Sequence, residues 1–310
     1  MNNIRYLRVI VTNKCNLNCF FCHREGIKSH EQKLSLEQLL ACIEILTSIG
    51  IMKVKFIGGE PTICAGLDYL VREIKKKNDK IDVSLITNGI TSKKIVDKLI
   101  NSRIDRINVS LHGFDLETFR KITGGTEKQL NSVFEMIRYL SSKKILGKIN
   151  YVLLKGINEE EFLQVIEYVH QNDYVLDILN YLDDDPKKFE QYHYDFSEIE
   201  AMIRKLYAVS EIGAYENKYS IPSARMSLVG GGVINMKVNQ LKNIHFLKGC
   251  NCCAKKDSCD EGIAAIRLTS DGVIKPCIFR DDNCFDLIGY MREHTIGQTV
   301  LEVKNYLEAL

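Results

Sequence analysis

Two hydrophobic periods alternate between residues 4 and 181. Residues 6–11 form a β-rich run. Ser35 is placed to cap a helix over residues 36–49, with Gln38 completing a capping box. Residues 53–57 read as a short buried strand. Residues 67–77 read as a helix with Leu67, Leu70, Val71 and Ile74 on one face. The alternation continues with a strand at 83–86 and a helix at 92–100. A strand follows at 104–111, in which Ile107, Val109 and Leu111 alternate, and then a helix at 127–140. The series closes with a strand at 149–154, a helix at 159–170 and a strand at 175–182. Strands and helices in strict succession predict an α/β fold with a parallel sheet covered by helices. Periodicity alone leaves an open sheet and a partial barrel equally available.

The pattern breaks at Asp183-Asp184-Asp185-Pro186. One further helix is expected over residues 196–209. After it the chain reads as irregular and glycine-rich, with Gly230, Gly231 and Gly232 in a row. The expected division is therefore a β/α unit over residues 1–182 and a smaller region over 183–310. The chain shows neither an internal repeat nor a low-complexity tract.

Composition removes several classes. At 310 residues with 45% hydrophobic and 26% charged positions, the chain has the mix of a globular protein. No run approaches the ~20 apolar residues of a membrane-spanning helix. The first residues lack a secretory pattern, which points to the cytoplasm. Lys and Arg number 42 against 40 Asp and Glu, so the net charge of +2 gives no electrostatic case for nucleic-acid binding. Cysteine is the outlier, with 11 residues in two clusters. Cys15, Cys19 and Cys22 lie near the start. Cys250, Cys252, Cys253, Cys259, Cys277 and Cys284 lie near the end, and only Cys42 and Cys64 fall elsewhere. Clustered cysteines in a chain of this kind point to metal or redox chemistry.

The first cluster has the spacing Cys-x3-Cys-x2-Cys. Three close thiolates suit a 4Fe–4S cluster whose fourth iron stays open to another ligand. His23 supplies the alternative, a zinc site of three cysteines and one histidine. The loops after the next strands bear on the choice: Gly58-Gly59-Glu60-Pro61, Thr87-Asn88-Gly89, Ser110-Leu111-His112-Gly113 and Lys155-Gly156-Ile157-Asn158. Each falls at the C-terminal end of its strand, where β/α folds carry their active sites.

The cysteine loop followed by Gly-Gly-Glu-Pro resembles the radical S-adenosylmethionine (SAM) superfamily over roughly residues 4–182. The resemblance implies a partial (β/α)6 barrel in which Cys15, Cys19 and Cys22 hold a 4Fe–4S cluster. It implies that the amino and carboxylate groups of SAM chelate the open iron. Gly58, Gly59 and Glu60 then contact the SAM amino group. Thr87, Ser110 and Asn150 match positions that touch its methionine or ribose part, and Phe21 matches an aromatic residue near the adenine. The implied chemistry is reductive cleavage of SAM to methionine and a 5′-deoxyadenosyl radical that abstracts hydrogen from a substrate. A flavodoxin or ferredoxin is the implied electron donor.

The second cluster contains Cys250-x2-Cys253-x5-Cys259, followed by Cys277 and Cys284. A zinc knuckle is one reading. The other is an auxiliary iron–sulfur cluster of the 4Fe–4S kind, held by Cys250, Cys253, Cys259 and Cys277, with Cys252 and Cys284 as alternative members. The segment Ile266-Arg267-Leu268-Thr269-Ser270-Asp271-Gly272-Val273-Ile274-Lys275-Pro276-Cys277 resembles the C-terminal motif of the molybdenum-cofactor GTP 3′,8-cyclase family. Arg8, Asn108-Val109-Ser110-Leu111 and Lys148-Ile149-Asn150 match that family as well, and Thr123-Gly124 fits its helix entry. On this resemblance Lys148 and Arg267 bind an anionic group of a small-molecule substrate such as a nucleotide. Three arginines of the family's pattern are replaced here by Cys64, Asp177 and Ala265. Arginines bind triphosphates through fork-shaped, charge-assisted bonds. The replacements therefore point to a relative with a different substrate. Two other readings stand beside this one. The Cys-x2-Cys-x5-Cys spacing also resembles enzymes that modify ribosomal peptides, and a non-catalytic zinc protein would be colourless and would leave SAM intact.

Overall fold

The computed structural model describes residues 4–27, 34–183, 185–215, 223–237, 250, 253 and 265–310. Six strands run parallel and in sequence order: β1 (Tyr6–Ile10), β2 (Lys53–Ile57), β3 (Asp82–Thr87), β4 (Arg106–Ser110), β5 (Leu146–Leu153) and β6 (Val175–Asn180). The helices between them are α1 (Leu36–Ser48), α2 (Leu67–Lys77), α3 (Lys93–Asn101), α4 (Leu116–Thr123), α5 (Glu127–Ser142) and α6 (Phe162–Gln171). Right-handed crossovers between strands laid down in one direction put every helix on the same face. That choice selects the curled, partial-barrel solution over a sheet covered on both sides.

The strand sequences show the same asymmetry. Leu7, Val9, Val54, Phe56, Val83, Leu85, Ile107, Val109, Ile149, Tyr151, Leu176 and Ile178 are buried against the helices in one apolar core. Each such side chain contributes roughly 1.5–3 kcal/mol when fully buried. The alternate positions point to the opposite, concave side. Their middle positions are polar: Arg8, Lys55, Ser84, Asn108, Lys148, Asn150 and Asp177. The inner lining is therefore charged while the outer layer is greasy.

The last third joins the same sheet at both edges. α7 (Pro186–Tyr192) and α8 (Phe196–Leu206) lead into a hairpin of β7 (Val209–Tyr215) and β8 (Ser223–Leu228). It continues into β9 (Val233–Lys237), which pairs in parallel with β6. At the other edge β10 (Ile266–Leu268) pairs in parallel with β1, followed by antiparallel β11 (Val273–Lys275) and β12 (Phe285–Asp286). Helices α9 (Leu287–Glu293) and α10 (Ile296–Ala309) close the chain and pack on α1. Among the described residues the result is one sheet of twelve strands.

Several local expectations hold. Ser35 and Gln38 form the capping box, and residues 53–57 and 67–77 have the expected bounds. Others change. Within the stretch read as irregular, the described residues 209–215, 223–228 and 233–237 form strands, and the three glycines make the turn between β8 and β9, all at positive φ. Their left-handed backbone favours glycine, and the run concealed the short strands beside it. The helix expected over 196–209 ends at Leu206, because Val209 already starts β7. Thr123-Gly124 is a helix exit. Thr123 ends α4, and Gly124 caps it at φ 68° before Thr126 opens α5.

Candidate active site

The cysteine loop leaves the C-terminal end of β1 and is pinned from below. The Asn18 and Phe20 amides donate to the Thr123 and Ile122 carbonyls, both at 3.1 Å. These are carbonyls at the end of α4, where a helix has no partners of its own for them. Asn16 donates to the Ile90 carbonyl at 3.0 Å and accepts from Asn88 at 2.6 Å. The Asn88 amide also lies 3.9 Å from the Cys15 sulfur. Asn88 has no assigned role in the sequence reading, yet it ties the third-strand loop to the first cysteine.

Cys15, Cys19 and Cys22 are free thiols. Burial pushes the Cys19 thiol up to about 12, with Cys22 and Cys15 adding to the shift. Burial also raises Cys15. Cys22 contributes to the shift at both Cys15 and Cys19, so the three cysteines are neighbours. Among the described residues, no three potential ligands converge on a point that a single ion would fill. A donor set of three neighbouring but separate thiols fits a cube-shaped cluster, whose irons each take one cysteine. Thiols held protonated by burial become ligands only by giving up a proton to the metal.

The Gly-Gly-Glu segment is zipped onto this loop. Gly59 N donates to the Thr12 carbonyl and Glu60 N to the Lys14 carbonyl, both at 2.8 Å. A Cβ on Gly58 would stand 2.3 Å from the Thr12 oxygen, and one on Gly59 2.1 Å from the Lys14 oxygen. Both glycines are therefore required by close backbone approach. The Glu60 carboxylate is buried and saturated. One oxygen accepts from the Thr62 amide (3.1 Å), the Thr62 hydroxyl (2.6 Å) and the Thr87 hydroxyl (2.7 Å), and the other from the Asn88 amide at 2.7 Å. Burial raises its pKa, opposed by those hydrogen bonds. Glu60 thus knots the loops after β2 and β3 together, and Thr87 is engaged in that knot.

Phe21 faces the opposite wall. Its ring meets His112 edge-on at 4.8 Å and packs on Ile122, Val152, Leu154 and Tyr181. Burial pushes the His112 imidazole down to about 4, so it is neutral near pH 7, and its Nδ1 has no hydrogen-bond partner among the described residues. Ser110 and Asn150 are register partners across β4 and β5, and the Leu111 amide donates to the Asn150 carbonyl at 2.9 Å.

The residues expected to bind anions are brought into the lumen, but with acidic partners. Arg8 and Arg267 are register neighbours, and both bind the buried Glu25, Arg267 through Nε at 2.7 Å. Burial pushes the Glu25 carboxyl up, but Arg8 and Arg267 outweigh it and hold the pKa at about 2. Lys148 pairs with Asp177, which also accepts from Asn235 at 2.9 Å. Glu25 escaped the sequence reading because its role depends on two strands that only the fold brings together, one of them 242 residues away.

The second cysteine group is partly described. The Cys253 amide donates to the Cys250 carbonyl at 3.1 Å, and the Phe279 amide points to the Cys277 sulfur at 3.4 Å. Cys284 lies close enough to Cys277 for that thiol to contribute to its raised pKa, after burial. Cys252 and Cys259 lie outside the described residues. The two cysteine regions meet. A Cβ on Gly26 would fall 2.0 Å from the Ile278 carbonyl oxygen, and Arg267 donates to the Pro276 carbonyl at 3.3 Å. Cys42 packs in the core with its sulfur 3.8 Å from that of Met291, and Cys64 is half-buried beside the Gly-Gly-Glu loop.

Comparison with known proteins agrees with this geometry. The radical SAM superfamily model matches residues 9–169. A probable GTP 3′,8-cyclase of Methanococcus aeolicus is 34% identical over 93% of this chain and 90% of its own. One of Thermococcus kodakarensis is 30% identical over 96% and 92%. Among solved structures, Streptococcus suis SuiB bound to precursor peptide SuiA superposes with a TM-score of 0.65 at 16% identity. The match covers 92% of this chain but only 63% of SuiB. The structure of anSMEcpe with bound AdoMet and a peptide gives 0.62 at 18% identity, over 98% of this chain and 82% of that one. At such identities these structures attest the fold. Membership of this family implies a 4Fe–4S cluster and SAM. The chain therefore belongs to the radical SAM superfamily of enzymes, on the branch occupied by these GTP 3′,8-cyclase relatives.

Proposed function

We propose that this enzyme acts on a nucleotide or closely related small metabolite, by cyclisation or rearrangement, and that its substrate differs from that of the GTP 3′,8-cyclases. The observation that carries the reading is the lumen. It keeps the family's Arg8, Lys148 and Arg267, yet each is bound to an acid, and Asp177 stands where the family has an arginine. The relatives named above, similar over more than nine-tenths of the chain, support the nucleotide class.

In this reading Cys15, Cys19 and Cys22 hold the 4Fe–4S cluster. Gly58, Gly59, Glu60, Thr87, Ser110, Asn150 and Phe21 form the SAM pocket. Bound there, the cluster and SAM would supply the reductive cleavage that provides a hydrogen-abstracting radical. The chain's own residues prepare the chamber. The Glu60 knot fixes the distance between the loops after β1, β2 and β3. Phe21, with neutral His112 behind it, supplies an apolar wall that keeps water out. Cys250, Cys253, Cys259 and Cys277 hold a second iron–sulfur cluster of the 4Fe–4S kind. Arg267, hydrogen-bonded both to Glu25 and to the Pro276 carbonyl beside Cys277, ties the lumen wall to the second cysteine group. A cytoplasmic flavodoxin or ferredoxin supplies electrons.

The test is substrate-dependent turnover. Reconstituted enzyme with SAM and dithionite is offered a panel of deuterated nucleosides and nucleotides. Deuterium in 5′-deoxyadenosine from one of them supports the reading. A ribosomal peptide that transfers deuterium when no nucleotide does would replace it with the peptide-modifying alternative, which the Cys-x2-Cys-x5-Cys spacing favours.

A further inference from the structure

The concave side of the sheet carries a row of cations set by strand register. Arg267 lies beside Arg8, Arg8 beside Lys55, and Lys55 beside Ser84, which in turn lies beside Arg106. Lys148 completes the ring from β5. Most of these cations are neutralised by acids. Arg8 and Arg267 share Glu25, Lys148 has Asp177, and Arg106 binds Asp82 at 2.7 Å. Lys55 is the exception. It is 7% exposed, and its ammonium has neither an ion pair nor a hydrogen bond among the described residues, only the Tyr6 ring 5.6 Å away.

A buried ammonium without a partner is costly. Burial lowers its pKa, and the like charges of Lys148, Arg8 and Arg106 lower it further, with Asp177 opposing. Unused hydrogen-bonding groups lie on the same face of the next two strands, Ser84 as its register neighbour on β3 and Asn108 on β4. The Ser84 hydroxyl and both polar atoms of the Asn108 amide are fully buried with no partner among the described residues. Gly147 keeps room for that amide, since a Cβ there would meet the Asn108 oxygen at 2.4 Å. Buried polar groups are almost always satisfied, so such a cluster calls for an occupant.

We propose that Lys55, Ser84 and Asn108 form the substrate's anion subsite, and that it takes one compact oxyanion, a single phosphoryl or carboxyl group, in place of a triphosphate. The inference deepens the proposed function and rests on it for the lumen being the substrate chamber. One cation and two neutral donors match one small anion. A triphosphate requires several unpaired cations, and here Glu25 and Asp177 occupy those that the family pattern supplies.

The experiment is isothermal titration of the anaerobically reconstituted, SAM-loaded full chain. The probes are guanosine 5′-monophosphate and 5′-triphosphate, with inorganic phosphate and acetate as base-free anions. The monophosphate is expected to bind at least as tightly as the triphosphate. Lys55→Met is expected to weaken it at least tenfold and to remove binding of the base-free anion. Ser84→Asp, which puts a carboxylate beside Lys55 without deleting it, is expected to do the same. Preference for phosphate over acetate, or the reverse, identifies the group. A triphosphate at least tenfold tighter than the monophosphate, unchanged binding in Lys55→Met, or no binding of any probe overturns the subsite. If base-free anions bind through Lys55 and neither nucleotide improves on them, the subsite stands and the nucleotide reading falls.

Discussion

At the scale of single residues, two buried carboxylates carry the arrangement. Glu60 accepts four hydrogen bonds from the loops after β2 and β3. Glu60→Gln sets an amide donor against one of those donors, at a cost of about 1–3 kcal/mol. The expected outcome is weaker SAM binding and at least a tenfold loss of 5′-deoxyadenosine formation, checked by titration and product assay. Glu25 holds Arg8 and Arg267, and its folded-state pKa of about 2 lies below the ordinary 4.5. A depressed acid stabilises the fold above its unfolded pKa and loses that contribution as pH falls through the folded one. Wild-type stability in urea is therefore expected to drop below about pH 4.5. Glu25→Gln is expected to be less stable at pH 7, by about 3–5 kcal/mol for a broken buried pair, with a shallower acid slope. Sequence pattern exposed Glu60 because Gly-Gly-Glu is local. It concealed Glu25, whose partners lie on β1 and β10, and Lys55, whose setting is made by neighbouring strands.

At the scale of elements, close backbone approach sets the site. Gly59→Ala puts a methyl 2.1 Å from a carbonyl oxygen that cannot yield without opening the Glu60–Lys14 bond. Overpacking of this kind costs typically ~1–3 kcal/mol. The variant is expected to fold, to retain less iron on Cys15, Cys19 and Cys22, and to cleave SAM at least tenfold more slowly, as read by iron analysis and product assay. The β/α elements were legible because caps and periodicity are local: Ser35 and Gln38 marked the start of α1, and Leu67, Leu70, Val71 and Ile74 marked the buried face of α2. The pair β8 and β9 was hidden because short strands joined by a run of glycines carry little periodicity. α4 was hidden because eight residues between two loops offer barely two turns of pattern.

At the scale of the molecule, the C-terminal third completes the sheet at both edges, with β10 on β1 and β9 on β6. Bare strand edges invite association. A fragment of residues 1–182 is therefore expected to aggregate where the full chain does not, as light scattering would show. A monodisperse fragment would contradict this. The same closure brings Arg267 and Pro276 to the first cysteine loop, so the two cysteine regions of the sequence become neighbours through Glu25 and Gly26. Resemblance in the sequence had paired these regions by motif. Their physical meeting depends on a parallel pairing between strands more than 250 residues apart.

The most direct measurement is 5′-deoxyadenosine formation from SAM by anaerobically reconstituted protein under strong reductant. The control is the Cys15→Ala/Cys19→Ala/Cys22→Ala variant. Product from the wild type and none from the variant is the expected result. Absence of product from protein that carries a full cluster on those three cysteines, with the nucleotide panel present, would contradict the account.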